Sequence, residues 1–138
     1  MNNFWAFLAG ITVLAVVFLA FETPADEINF TDLETECRYD RTTAYEISLN
    51  SGNVLSFSGH YPVNSTDADT SYRYSKSGDR IRLNVVAKNE TQAPSSYVDS
   101  CLASVVYEGQ TSSIPEGSYT VVLQHNGEEV ERQVIGIK

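Results

Sequence analysis

Positively charged residues are scarce in this sequence of 138 residues. It contains 9 Lys plus Arg against 18 Asp plus Glu, which gives a formal net charge of −9 at pH 7. A protein that binds nucleic acid neutralises phosphates with a surplus of Lys and Arg, so this acidity argues against a nucleic-acid partner. Two explanations of the acidity stay open: adaptation to high salt, and an ordinary acidic surface that avoids anionic lipid headgroups.

Residues that commonly carry chemistry are also few. The two histidines, His60 and His125, each stand at the end of an expected strand, where we expect exposed side chains rather than catalytic bases. The sequence has no Gly-x-Ser-x-Gly elbow, glycine-rich phosphate loop or His-Glu-x-x-His run. Asp67 and Asp69 lie in a Ser/Thr-rich loop without the glycine and distal glutamate of an EF-hand. We therefore expect no enzyme, no cofactor and no metal site.

Cysteine is limited to one pair, Cys37 and Cys101. Neither has a metal-ligating neighbour at the close spacing that structural zinc sites use. The simplest use for two such cysteines is a disulfide bond, and disulfides persist outside the cytoplasm. The sequence thus predicts a Cys37–Cys101 bond that stabilises an exported domain.

Charged residues are missing altogether from residues 4–21, where Thr12 is the only polar side chain between Phe4 and Phe21. As a helix this run would be about 27 Å long, close to the roughly 30 Å of a bilayer core. Residues 1–21 are therefore predicted to form a hydrophobic helix. An uncleaved signal anchor is favoured over a signal peptide cleaved before Asp26, because no basic residue precedes the long apolar run. A buried core helix is the third alternative.

The membrane is accordingly the first predicted partner, bound through residues 4–21. Ala6 and Gly10 form a small-xxx-small pair, which favours self-association between such helices. The acidic residues that follow the run, together with the cysteine pair, indicate that residues 22–138 lie outside the cell, or are secreted if the helix is cleaved. Residues 22–33 are expected to form an acidic juxtamembrane spacer, and residues 34–138 a folded domain.

This domain has the alternation and the frequent turn signals of an all-β protein. A first strand is expected near Cys37. The other expected strands are Thr43–Leu49, Val54–His60, Tyr72–Lys76, Arg80–Lys88, Val98–Glu108, Ser118–His125 and Glu128–Ile137. Their number and spacing predict an immunoglobulin-like antiparallel β-sandwich of seven or eight strands.

Two local patterns give further predictions, one about a turn and one about the surface charges. Asn126-Gly127, between two alternating runs, predicts a hairpin with a type I′ turn. Arg73, Arg80 and Arg82 lie on two neighbouring expected strands, where we expect cross-strand pairing with Asp or Glu rather than a basic stripe.

The segment around the last hairpin carries a resemblance. Its run Ile-Pro-Glu-Gly-Ser-Tyr-Thr-Val-Val-Leu, residues 114–123, resembles the late hairpin of exported prokaryotic immunoglobulin-like domains. The resemblance covers about 25 residues and implies a sandwich architecture, without functional residues. The antibody-domain marks are absent, because the only tryptophan is Trp5 and Asp99 stands where a tyrosine-corner residue would precede Cys101.

Three glycosylation sequons begin at Asn29, Asn64 and Asn89. All three fall in segments expected to be loops of an exported domain. Their number is close to what chance predicts for this content of Asn, Ser and Thr. The sequence therefore marks acceptor sites without showing that they are used.

Taken together, these features predict a non-catalytic cell-surface or secreted domain with a binding or structural role at the outer face of the membrane. No motif identifies its protein or glycan partner. An alternative is a filament subunit, since an apolar helix before a β-sandwich resembles archaeal pilins, although no basic-Gly processing site is present and Pro24 ends the helix. An exported enzyme inhibitor that presents loop 89–96 or 109–116 is a second alternative.

Overall fold

The computed structural model describes residues 27–38, 40–88 and 102–138, and every regular element in them is a β-strand. The prediction of an all-β domain is thereby confirmed. The strands are β1 (Ile28–Arg38), β2 (Ala44–Asn50), β3 (Val54–Pro62), β4 (Asp69–Ser77), β5 (Arg80–Lys88), β6 (Leu102–Thr111), β7 (Gly117–His125) and β8 (Glu128–Ile137). Within these ranges no helix has the length and apolarity to cross a membrane. The predicted helix of residues 1–21 lies outside the described residues.

The strands form two sheets of four, with the order β1-β6-β3-β2 in sheet A and β4-β5-β7-β8 in sheet B. All neighbours are antiparallel except β5 and β7, which run parallel. The prediction of a fully antiparallel sandwich is therefore wrong for this pair. Parallel neighbours need a crossover connection, and β6 lies in that connection as a strand of the opposite sheet.

The immunoglobulin-like arrangement is not confirmed. A constant-type immunoglobulin domain groups its first, second, fourth and fifth strands in one sheet. Here the first, second, third and sixth strands of the described chain share a sheet. The sandwich is thus the part of the prediction that the structure supports.

The core lies between the inner faces of the two sheets. Both sheets contribute side chains with no more than 1% exposure: Leu55, Phe57, Ile81, Leu83, Val85, Val105, Tyr107, Val121 and Leu123. They occupy alternate positions of β3, β5, β6 and β7, because successive side chains of a strand point to opposite faces. The alternation that is typical of half-buried strands is present in the inward residues of β5 and β7.

Strand β1 begins within the segment expected to be a spacer, so the sandwich starts before residue 34. Ile28 is buried and pairs with Thr111, while Phe30 packs against the core. The register of β1 shifts between Phe30 and Asp32. A bulge of this kind inserts an extra residue and breaks the alternation of period two. The start of the strand is therefore not predicted by the alternation of the sequence.

The turns follow from local sequence. Asn126 and Gly127 both have positive φ, at 51° and 82°, which confirms the type I′ turn between β7 and β8. In the two-residue turn between β4 and β5, positive φ occurs at Gly78, with a value of 59°. That position is the first central residue, where a type II′ turn places its glycine.

Two of the predicted modification sites can be placed. Asn29 is exposed on β1 opposite Gln110, so the expectation of a loop there is wrong, whereas Asn64 is exposed in the loop between β3 and β4. Asn89 lies outside the described residues. Cys37 is on β1 opposite Ala103. Its expected partner Cys101 also lies outside the described residues, so the disulfide bond stays a prediction.

Candidate functional site

His125 is a core residue and not an exposed turn residue. It is 7% exposed, which shows that the sequence-based expectation was wrong. Strand β7 continues to His125 before the turn begins, and His125 has the same parity as the buried Tyr119, Val121 and Leu123. The alternation of the strand therefore directs the imidazole toward sheet A.

Three tyrosines of sheet A surround this imidazole. The Tyr107 hydroxyl lies 2.8 Å from Nε2 of His125, and the ring of Tyr61 stacks on the imidazole at 4.3 Å between centroids. Tyr45 approaches edge-on, with its centroid 6.3 Å away. The Tyr61 hydroxyl donates to the carbonyl oxygen of Val85 at 3.1 Å. We call these four residues the tyrosine–histidine cluster.

Gly59 makes room for this cluster. It lies on β3 between Tyr45 of β2 and Tyr107 of β6. A Cβ atom at Gly59 would lie 2.6 Å from the Tyr107 hydroxyl and 2.5 Å from the carbonyl oxygen of Ala44. Glycine is therefore required here by the close approach of a ring and a backbone carbonyl.

Burial suppresses the ionisation of His125, Tyr61 and Tyr107. It lowers the pKa of His125 to about 4 and raises the pKa of Tyr61 to about 12. It also raises the pKa of Tyr107 far above the usual value. The neutral imidazole shares a hydrogen bond with the Tyr107 hydroxyl through Nε2. A group with so low a pKa is a weak base at neutral pH. The cluster is thus suited to packing rather than to proton transfer.

The outer face of sheet A is acidic. One row across the sheet, from β1 to β2, consists of Asp32, Glu108, Ser58 and Glu46. These residues line a shallow trough of about 340 Å³, together with His60. His60 is partly exposed, and its Nε2 lies 3.2 Å from the hydroxyl of Thr42.

The next rows of this face add two carboxylates and one cation. Glu34 and Glu36 continue along β1, and Arg38 binds Glu36 at 3.2 Å. We call this surface the acidic face; its charged residues are Asp32, Glu34, Glu36, Arg38, Glu46 and Glu108.

The outer face of sheet B is basic, although the chain as a whole is acidic. Arg73 lies opposite Asn84, Arg80 lies between Ser77 and Thr120, and Arg82 lies between Ser75 and Val122. The expectation that these arginines pair across strands with Asp or Glu is therefore wrong, because the register brings polar or apolar neighbours to them. We call this surface the basic face; its charged residues are Asp69, Arg73, Arg80, Arg82, Lys88, Glu129 and Arg132.

Both carboxylates of the basic face lie beside a cation. Asp69 lies opposite Lys88, and Glu129 accepts two bonds from Arg132, at 2.9 and 2.8 Å. The hydrogen bond from Arg132 lowers the pKa of Glu129, and the more distant charges of Arg82 and Arg80 lower it further. Arg73, Arg80 and Arg82 have no direct ion pair within the part of the chain that the structure describes.

The predicted absence of a metal site remains a prediction. Asp67 lies in a turn where its backbone N–H donates to the Ser65 hydroxyl, and Asp69 begins β4. Among residues 27–38, 40–88 and 102–138, no group of three or more His, Cys, Asp or Glu side chains could hold a metal ion.

The loop before β7 is held in place by the rest of the sandwich. Backbone N–H groups of Ser112 and Ile114 donate to the carbonyl oxygens of Glu27 and Asn53, at 3.1 and 2.9 Å. The Ser113 hydroxyl donates to the Gly52 carbonyl oxygen at 2.7 Å. Residues 109–111 of the expected inhibitory loop belong to β6, and loop 89–96 lies outside the described residues.

The separation of charge between the two outer faces was not predicted from the sequence. A signal was present, since Asp32, Glu34 and Glu36 alternate along one strand, as do Arg80 and Arg82 along another. Alternation assigns each set to one face of its strand. It does not say which strands share a sheet.

No protein-family model matches this chain, and comparisons with curated proteins and with solved structures gave no match.

Proposed function

We propose that this protein is a non-catalytic β-sandwich, displayed at the outer face of the membrane or secreted, with a binding or structural role. The observation that carries the proposal is the separation of charge between the two outer faces. Arg73, Arg80 and Arg82 are concentrated on one face of a strongly acidic chain. Unpaired cations gathered on one sheet form a surface suited to an acidic partner.

The tyrosine–histidine cluster supports a non-catalytic role. Tyr61, Tyr107 and His125 of this cluster have strongly shifted pKa values, a property that often marks an active site. In this case the imidazole is stacked and hydrogen-bonded inside the core. Burial by packing therefore accounts for the shifted pKa values.

Lysine labelling on intact cells tests the location. Lys88 and Lys138 are exposed, and a membrane-impermeant amine reagent should modify both in cells that naturally produce the protein. The matched control is Lys88→Arg with Lys138→Arg, which removes both targets and keeps the charge. Labelling that appears only after lysis would place the domain inside and overturn the proposal. Intact-mass measurement on the same sample shows whether residues 1–25 are retained and whether the cysteines are oxidised.

A pilin-like filament subunit is a second candidate, and the opposite charges of the two faces favour it. Repeated contact between unlike surfaces builds open arrays. Electron microscopy of the native protein should then show filaments, and Leu14→Lys should abolish them if the hydrophobic helix joins the subunits. A solitary chain after detergent extraction would count against this candidate. The third candidate, an exported inhibitor, gains no support from residues 109–116, which are paired or tied to the sandwich.

A further inference from the structure

We propose that the acidic face of one copy of this chain binds the basic face of a second copy. The inference rests on the proposed function and identifies the partner of the basic face. It makes the contact heterologous, since two different surfaces of the same molecule meet. Within the described part of the chain, each face leaves charged side chains without a direct partner of opposite sign.

The acidic face carries four carboxylates without a direct cation partner in the described part of the chain: Asp32, Glu34, Glu46 and Glu108. Asp32 lies directly opposite Glu108 in the ladder between β1 and β6. Like charges at such a position repel each other and destabilise the sheet. A cation brought by another molecule would relieve that repulsion.

The basic face offers three such cations, Arg73, Arg80 and Arg82. Guanidinium groups suit this contact because their planar fork matches a carboxylate. The other cations of this face, Lys88 and Arg132, lie beside carboxylates of the same face. The unpaired charges of the two faces are therefore complementary in sign and similar in number.

Both faces also present an apolar side chain, on the edge strand β8 of the basic face and on the inner strand β6 of the acidic face. Val134 of the basic face is 71% exposed, next to Thr120 and two residues along β8 from Arg132. Val106 of the acidic face is half-buried between Glu34 and His60. Apolar side chains among the charged ones would add apolar contact to such an interface.

The size of the faces suits a weak, reversible contact. Four strands about 4.8 Å apart and about nine residues long give a face of about 500 Å². Two such faces would bury about 1,000 Å², near the lower limit for a specific interface. We therefore expect association in the micromolar range or weaker, strengthened where the chains are concentrated in one membrane.

The positions of the faces determine the form of the assembly. They are the outer surfaces of the two sheets, so they lie on opposite sides of one sandwich. A copy that uses its acidic face keeps its basic face free, and the contact repeats. The expected product is a row of sandwiches, and not a closed twofold dimer.

Salt should act on this association in two ways. The net charge of −9 makes whole molecules repel each other over long distances. Salt at about 0.1 M screens charges beyond about 10 Å, which weakens that repulsion more than it weakens contacts at the interface. At about 1 M the screening distance falls to about 3 Å, and the interface contacts are weakened too. Association should be strongest near 0.1 M.

The test is sedimentation of the full-length chain in detergent micelles at several protein and salt concentrations. Wild type should form dimers and larger species near 0.1 M salt. Arg80→Gln with Arg82→Gln should lower the association constant at least tenfold, and so should Glu34→Gln with Glu108→Gln. An unchanged association constant in either face variant would overturn the proposal.

Matched controls separate the faces from the net charge. Arg41→Gln with Lys138→Gln removes two cations from outside the faces, and Glu27→Gln with Asp67→Asn removes two carboxylates. All four are exposed residues. Both controls should associate as wild type does. An equal loss in a control would show that net charge governs association and would overturn the proposal.

Mixing the two face variants supplies the decisive measurement. Each variant retains one intact face, so a mixture contains one wild-type contact between unlike molecules. The mixture should form dimers that grow no further, although each variant alone stays monomeric. If no mixed dimer forms, the two faces do not bind each other.

An anionic polymer is the other partner that could bind the basic face, and it has to be distinguished from a second copy of the chain. Retention on a dextran sulfate column that depends on Arg80 and Arg82, combined with association that does not, would assign the basic face to a polyanion and overturn the proposal. Lysine labelling on cells is independent of these results. Failure of that labelling would overturn the location, while face-dependent association would still support contact between copies.

Discussion

The tyrosine–histidine cluster and the two charged faces use ionisable side chains in opposite ways. In the cluster, burial keeps His125, Tyr61 and Tyr107 uncharged and joins two of them by a hydrogen bond. On the faces, Arg80, Arg82 and Glu34 are exposed. We therefore expect the cluster to control the free energy of unfolding and the faces to control association.

The largest effect is expected at Gly59. Gly59→Ala places a Cβ in contact with the Tyr107 hydroxyl and the Ala44 carbonyl, so it should lower the free energy of unfolding by about 2–3 kcal/mol. Denaturant titration measures this change. Gly136→Ala is the control, because a Cβ at Gly136 meets nothing within 4 Å. Similar losses in both variants would show that the close approach at Gly59 is unimportant.

The next effect concerns the hydrogen bond inside the cluster. Tyr107→Phe keeps the ring and removes the hydroxyl, which leaves Nε2 of His125 without this partner. A buried polar atom without a partner costs about 1–3 kcal/mol. The loss should appear in denaturant titration, while the exposed Tyr72→Phe changes stability by less than about 0.5 kcal/mol. An unchanged stability in Tyr107→Phe would mean that another group satisfies the imidazole.

Stability should also fall in mild acid because of His125. Its pKa in the folded state, about 4, is below the unfolded value of 6.5, so the unfolded chain binds more protons between these values. The contribution of His125 is complete above pH 6.5 and is lost as the pH falls toward 4. Allowing for solvent screening, we expect a loss of about 1–2 kcal/mol.

The control for this pH dependence is His125→Gln, which cannot titrate in that range. Its unfolding free energy should fall less steeply between pH 6.5 and 4 than that of wild type. Equal slopes would show that carboxylates account for the whole dependence, and would remove His125 as a source of acid sensitivity.

The smallest effect on stability is expected from the faces. Arg80→Gln with Arg82→Gln should change the unfolding free energy by less than about 0.5 kcal/mol, because exposed substitutions of this kind rarely alter packing. The same variant should show the largest loss of association. A marked loss of stability in this variant would break the division of roles between the cluster and the faces.

Much of the fold was predictable because it depends on local sequence. The bounds expected for β5 and β8 coincide with those observed, and Asn126-Gly127 forms the expected turn. Strand alternation and turn preference are properties of short segments. Strand β1 was located less well, because the bulge near Asp32 interrupts its alternation.

The candidate surfaces were less predictable, because they depend on strand pairing over long distances. The sequence placed Arg80 and Arg82 on one side of a strand, but their neighbours on β7 are about forty residues away in the chain. The burial of His125 likewise required sheet A above it, since a histidine at the end of a strand is exposed in many proteins. The surroundings of these residues are set by strands that are distant in sequence and adjacent in the fold.

The sequence by itself determined the all-β class, the position of most strands and the excess of acid, because each follows from composition or from patterns within a few residues. Only the tertiary structure decided the parallel pairing of β5 and β7, the burial of His125 and the opposite charges of the two faces. The physical reason is that the packing of two sheets combines residues far apart in the chain. Because of this packing, a chain with a net charge of −9 has one acidic and one basic outer face.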